Sequence, residues 1–229
     1  MSETKEASIH REFELERMIL FSDAVFAIAI TLLIIEIKFP ELPEDFKVSL
    51  DLWKMFKPTV IEFLGFFMSF FFIGVSWARH LKMFRYLKAY DNGVIFRNLL
   101  SLMFIVSFPF STSALIHARP SFMFPVIIYM GNLVLIFLSN FLLSYYIFKH
   151  KPSLSIPGHE AEKKYIHLQS TAMAVGLLVI FFTLLTTALL SNFNNEYMLT
   201  ALQVTVLFLV IMRLWIRKNK PKKVSVFEE

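Results

Sequence analysis

The sequence predicts an all-α polytopic membrane protein with six transmembrane helices. Three observations lead there. Of 229 residues, 56% are hydrophobic and 18% charged, with the apolar residues gathered into long runs. A soluble domain of this size carries about 25% charge. The runs are of bilayer-spanning length and are separated by polar links. Lys and Arg are unequally placed, with 18 on one side of the six-span arrangement and five on the other. That bias puts both termini in the cytoplasm, which requires an even number of spans. It also accounts for the net charge of +5 without a nucleic-acid partner. No cysteine is present, so disulfides, thiol catalysis and Cys-bound metals are excluded. The N-terminus lacks the basic, apolar and small-residue pattern of a cleaved signal peptide.

In chain order, residues 1–16 read as a polar cytoplasmic segment, an interfacial helix leading into the first span. The first span covers Met18–Ile37, where only Ser22, Asp23, Thr31 and Glu36 are polar. Twenty residues at 1.5 Å each reach roughly 30 Å, the hydrocarbon thickness. Loop 39–57 contains Pro40 and Pro43, with Trp53 as an interface anchor. Pro58 suits the first turn of the second span, Thr59–Ala78. Residues 79–98 hold five Lys or Arg. The third span, Leu99–Ile116, contains Pro109, a predicted kink. The fourth is Phe122–Phe148, the fifth Tyr165–Leu190, and the sixth ends near Met212. The expected organisation is therefore a cytoplasmic segment 1–16, a six-helix domain 17–216 and a basic cytoplasmic tail 217–229.

Two features of the first span carry the functional reading. Ala24, Ile28, Thr31 and Ile35 are spaced four, three and four, so they stack on one helix face. Such a stripe lines an ion pathway or packs against another helix. The second feature is Asp23. A carboxylate inside the membrane costs at least about 2.5 kcal/mol on insertion scales, so it needs a partner or a water-filled cavity. Given the topology, Trp77 and His80 lie at the inner end of the second span, at the depth of Ser22 and Asp23. Asn98 opens the third on the same side. Asp23 can meet His80, Trp77 or Arg17, within or between subunits, either as a structural clasp or in contact with permeating ions.

At these residues the chain resembles the transmembrane protein 175 family of potassium channels. The first block, R-x-x-x-F-S-D-A-x-x-A-I-x-x-T-L, is Arg17, Phe21, Ser22, Asp23, Ala24, Ala27, Ile28, Thr31 and Leu32. The second is Trp77, His80, Phe84, Tyr90, Asp91, Asn98, Leu99 and Leu102, continued by Pro109, Phe110 and Thr112. The resemblance implies a potassium-favouring cation channel whose first helix lines a central pore. Animal members carry two six-span repeats. One FSD block and no internal repeat resemble the prokaryotic form, a homotetramer. The family's hydrophobic constriction maps onto Ile28, with Thr31 and Ile35 one turn and two turns further out. Its inter-helix polar network maps onto Arg17, Ser22, Asp23, Trp77 and His80. The implied partners are further copies of the chain, the lipid bilayer, and potassium and other monovalent cations as permeant ions. The implied place is the cell membrane. No cofactor, metal or nucleic acid is expected.

The six glycines are scattered, so a filter of stacked backbone carbonyls is not expected. Rings of Ile28 and Ile35 around a Thr31 hydroxyl ring would instead exclude water and select weakly by partial dehydration. Glu36 either attracts cations at the outer mouth or pairs with Lys38. Glu62 either sits at the interface or lines a vestibule. His10, His117, His150, His159 and His167 fall in tails or loop ends and are expected to be solvated. A proton-coupled secondary transporter using Asp23 and His80 is the rival function. An intramembrane enzyme lacks a nucleophile-plus-base constellation.

Overall fold

The computed structural model describes residues 2–38, 52–117 and 124–190, with isolated positions 203, 210, 211, 214 and 216–218. The sixth span, most of loop 39–57 and the tail expected at 217–229 lie largely outside the described residues. Five helices among those described are long and apolar enough to cross a membrane. They are α1 (Ser2–Leu32), α2 (Leu52–Phe84), α3 (Asn92–Ile116), α4 (Phe124–Tyr145) and α5 (Glu160–Leu190).

Helix α1 runs unbroken from the polar N-terminal segment into the first span. No Gly or Pro interrupts residues 2–32, and Glu, Ala, Arg and Leu are strong helix formers. The α-helix stops at Leu32, earlier than the expected Ile37, and Leu33–Glu36 form a 3₁₀ turn. Glu62 on α2 explains the stop. Its Oε2 accepts the Lys38 backbone N–H at 3.0 Å, drawing the exiting chain onto α2. Helix α2 begins at Leu52, so Pro58 lies inside it rather than in its first turn. Helix α3 starts seven residues before the expected Leu99, because Asp91 caps it. Asp91 Oδ1 accepts the Val94 N–H at 3.0 Å.

Helix α4 is central, with 50% of its span window buried in the protomer against 22% for α1 and α2. One core joins Phe26 and Leu33 of α1, Ile73 of α2, Ile105 and Phe108 of α3, Leu133 and Phe137 of α4, and Leu177 of α5. A second core closes the other end around Leu15, Phe84, Val94, Leu143 and Ile147. The two basic connections meet there. Lys88 N–H donates to Leu154 O at 2.9 Å, and Ile156 N–H to Tyr86 O at 2.9 Å. Both connections therefore lie at one end of the bundle, as the charge distribution requires.

That end is tightened by Asp91. Its Oδ2 accepts from Tyr146 Oη at 2.9 Å and from Lys151 Nζ at 2.6 Å. Burial alone would raise the Asp91 carboxyl, but the hydrogen bonds from Lys151, Val94 and Tyr146 outweigh it and hold it at about 2. The Arg97 guanidinium lies 3.9 Å from the Tyr146 ring centroid. Gly93 is required beside that ring, since a Cβ there would run into the Tyr146 hydroxyl.

Candidate functional site

The two faces of α1 differ sharply. Ser22, Phe26, Ala29 and Leu33 point into the protomer and are buried. The opposite face carries Ala24, Ile28, Thr31 and Ile35, all exposed, with Ile28 at 57% and Ile35 at 69%. No element of the protomer among the described residues covers this stripe. Ile35 belongs to the 3₁₀ turn, where each residue advances about 120° instead of about 100°. Three such steps rotate it roughly 60° from its place on a continuous α-helix. Ala24, Ile28 and Thr31 are one α-helical row, and Ile35 is offset from it.

Thr31 has a defined orientation. Its hydroxyl donates to Ile28 O on the preceding turn at 2.9 Å. With the proton directed at its own backbone, the oxygen retains lone pairs on the exposed face. Those lone pairs suit a cation.

The polar residues around Ser22 and Asp23 of α1 form two separate branches. In the first, Trp77 Nε1 donates to Asp23 Oδ1 at 2.8 Å, joining α2 to α1. This bond lies near the protomer surface, with Trp77 at 39% exposure. In the second, His80 Nε2 pairs with Asn98 Oδ1 at 2.8 Å and Asn98 Nδ2 donates to Ser22 Oγ at 2.9 Å. Ser22 Oγ in turn donates to Met18 O at 2.8 Å. The direction of every bond follows. Ser22 spends its proton on the backbone, so it must accept from the Asn98 amide. Asn98 then presents its oxygen to His80, which places the imidazole proton on Nε2. His80 is held face-on against Phe84 at 4.1 Å and tilted against Phe26 at 5.5 Å. Its Nδ1 is buried without a partner.

Arg17 belongs to neither branch. It is exposed and lines a cleft of about 430 Å³ with Glu14, Phe21, Tyr90 and Asn98. In that cleft Tyr90 Oη donates to Glu14 Oε2 at 2.6 Å. This bond, with burial and the Glu14 charge, raises the Tyr90 phenol. The structure thus joins Asp23 to Trp77, and His80 to Ser22 through Asn98. The sequence placed Asn98 at the depth of Ser22 and His80, but its bridging role between them carries no local signal.

The histidines expected in water behave differently among themselves. His167 pairs with Ser144 Oγ at 3.0 Å and stacks on Phe141 at 5.7 Å, so it packs between α4 and α5. His117 is exposed and its Nδ1 bonds Ser113 O at 3.0 Å. Among the described residues no group of three or more His, Asp or Glu is placed to hold a metal ion.

Residues 17–109 match the family described as endosomal/lysosomal potassium channel TMEM175. A potassium channel of Streptomyces collinus is 38% identical over 95 residues, covering 42% of this chain and 44% of that protein. The endosomal/lysosomal proton channel TMEM175 of Danio rerio is 22% identical over 207 residues, covering 89% of this chain and 38% of that one. The chain therefore spans less than half the length of these curated relatives. A crystal structure of a lysosomal potassium-selective channel TMEM175 homologue from Chamaesiphon minutus superposes with a TM-score of 0.65 at 26% identity. That match covers 89% of this chain and 98% of the other. These relatives are named as channels, not enzymes. The matched segment contains the whole α1 stripe and both polar branches. Over residues 17–109 the sequence, and over 89% of the chain the fold, are similar to those of TMEM175 channels.

Proposed function

We propose that this chain is one subunit of a potassium-favouring cation channel that conducts passively. Four copies would place α1 around a shared axis, with the Ile28 side chains forming the constriction. The observation that carries this reading is the uncovered row Ala24, Ile28 and Thr31 on a helix whose opposite face is fully packed. Apolar rings at a narrow point exclude water and gate by dewetting. An ion passing them sheds part of its hydration shell. Potassium, larger than sodium, loses water at lower cost, which favours it without a carbonyl filter. The Thr31 oxygen, oriented by its bond to Ile28 O, replaces part of the lost hydration. Ile35, rotated off the row by the 3₁₀ turn, forms a looser outer ring. The two polar branches hold α1 at a fixed rotation about its own axis, which keeps Ile28 on the pore side. A cell-membrane location with both termini cytoplasmic is supported by the Lys and Arg bias and by the meeting of the two basic connections at one end. The relatives' names weigh against the proton-coupled transporter.

The deciding experiment is ion flux through purified protein in liposomes. Wild type is expected to pass potassium over sodium. Ile28→Asn is expected to wet the constriction, raising flux and lowering that preference. Unchanged flux and selectivity in Ile28→Asn would remove α1 from the pore.

A further inference from the structure

Arg79, in the last turns of α2, has no anionic partner among the described residues. Among the described residues its guanidinium makes no hydrogen bond or ion pair, and Nη1 is sealed from solvent unpartnered. It stands 6.0 Å from the centroid of the Phe137 ring on α4. Tyr165, near the start of α5, lies within electrostatic range. The neighbouring Ser76 hydroxyl is engaged by Asn140 Nδ2 at 2.7 Å. The free Asn140 Oδ1 is a neutral oxygen and offsets no full charge. No carboxylate among the described residues bonds Arg79, and four near this end have other hydrogen-bond partners. Asp23 holds Trp77, Asp91 holds Lys151, Glu14 holds Tyr90 and Glu160 holds Lys163.

We propose that Arg79 is the anchor of a phosphate site for an anionic lipid headgroup, set where α2, α4 and α5 converge at the cytoplasmic end of the bundle. A charge at the membrane boundary needs a counter-charge, and the inner leaflet supplies phosphate at that depth. The planar guanidinium matches phosphate oxygens two at a time. Exposed Lys82, Arg85 and Lys88 follow Arg79 toward the cytoplasm and give the approach a positive potential. The site lies on packed helices away from the α1 stripe, so it stands whether or not the channel reading holds.

The test titrates purified protein in neutral detergent with phosphatidylglycerol, phosphatidylcholine or inorganic phosphate. Bound lipid is counted by native mass spectrometry and the melting temperature is followed in parallel. Wild type is expected to retain phosphatidylglycerol and to melt higher with it, with no response to phosphatidylcholine or inorganic phosphate. Arg79→Gln is expected to bind phosphatidylglycerol roughly fivefold more weakly or worse, and Arg79→Lys to fall between the two. If Arg79→Gln does not fold, the Arg79→Lys comparison decides alone. A response to inorganic phosphate equal to that of the lipid would overturn the lipid assignment. Equal lipid binding by wild type and the Arg79 variants would remove the site. The tail carries Glu228 and Glu229 as rival counter-charges. Lipid binding that emerges only after deletion of residues 224–229 would assign Arg79 to the tail and overturn the proposal.

Discussion

His80 Nε2 and Asn98 Oδ1 meet at 2.8 Å between α2 and α3, and the same asparagine reaches Ser22 on α1. Three helices are thus joined through one amide, with all three side chains almost wholly buried. Buried hydrogen bonds between side chains are costly to leave half-made, so the joint responds strongly to truncation.

Asn98→Ala leaves the His80 donor unpaired in an apolar setting and removes a bond to Ser22. The expected loss is about 2–3 kcal/mol of stability. Ser22→Ala leaves only the Asn98 amide unpaired and is expected to cost about 1 kcal/mol. The double variant should lose less than the sum, because both changes break the same network. Thermal melts in detergent, followed by tryptophan fluorescence, measure all three. Additive losses would show that the amide does not couple the helices.

Ile28 and Leu33 separate pore effects from packing effects. Ile28→Ala is expected to raise conductance and weaken potassium preference, with little change in the protomer's packing, since the side chain is exposed there. Leu33 is fully buried on the opposite face. Leu33→Ala is expected to cost about 2–5 kcal/mol while leaving the selectivity of the surviving protein intact. Paired flux and melting measurements check this. A selectivity change confined to Leu33→Ala would reverse the assignment of faces.

Thr31→Val is a near-isosteric change that removes the only side-chain oxygen of the α1 row. Thr31 is exposed and bonds only within its own helix, so folding should be unaffected. Potassium flux is expected to fall several-fold, by roughly the 1 kcal/mol of one lost oxygen contact. Equal flux in Thr31→Val and wild type would leave dehydration at the isoleucines as the sole source of selectivity.

Asp91 sets an acid limit on the end of the bundle where the two basic connections meet. Its carboxyl is held at about 2, below the ordinary 3.8. A depressed carboxyl contributes stability that is complete above about 4 and disappears as the pH falls toward 2. Acid should therefore loosen the Asp91, Tyr146 and Lys151 junction before the membrane core, seen as earlier hydrogen exchange at the start of α3. Asp91→Ala should remove this pH dependence and cost about 1 kcal/mol at neutral pH, the usual loss for an N-cap. Identical acid sensitivity of exchange in wild type and Asp91→Ala would place the titrating group elsewhere.

Much of this was legible in the chain because it is written locally. The span-length runs, the 18-to-five placement of Lys and Arg, and the four-three-four spacing of Ala24, Ile28, Thr31 and Ile35 need only neighbouring residues. Helix starts were less legible. Asp91 reads as a cap only once Val94 is seen to bond it, and that moved the start of α3 by seven residues. His167 looked like a loop-end residue but packs between helices, because α5 begins at Glu160, five residues before the expected Tyr165.

By itself, then, the sequence determined the five described spans and which face of α1 is set apart, and it gave an expected direction through the membrane. Those properties follow from hydropathy, net placement of charge and the 3.6-residue period. Only the tertiary structure decided that Asp23 takes Trp77, that Asn98 bridges His80 to Ser22, and that Glu62 ends α1 early and turns Ile35 off the row. Each of these depends on the rotation and depth of one helix against another to within an ångström or two. Hydrogen bonds demand that precision, and an apolar pattern along a single helix does not encode it.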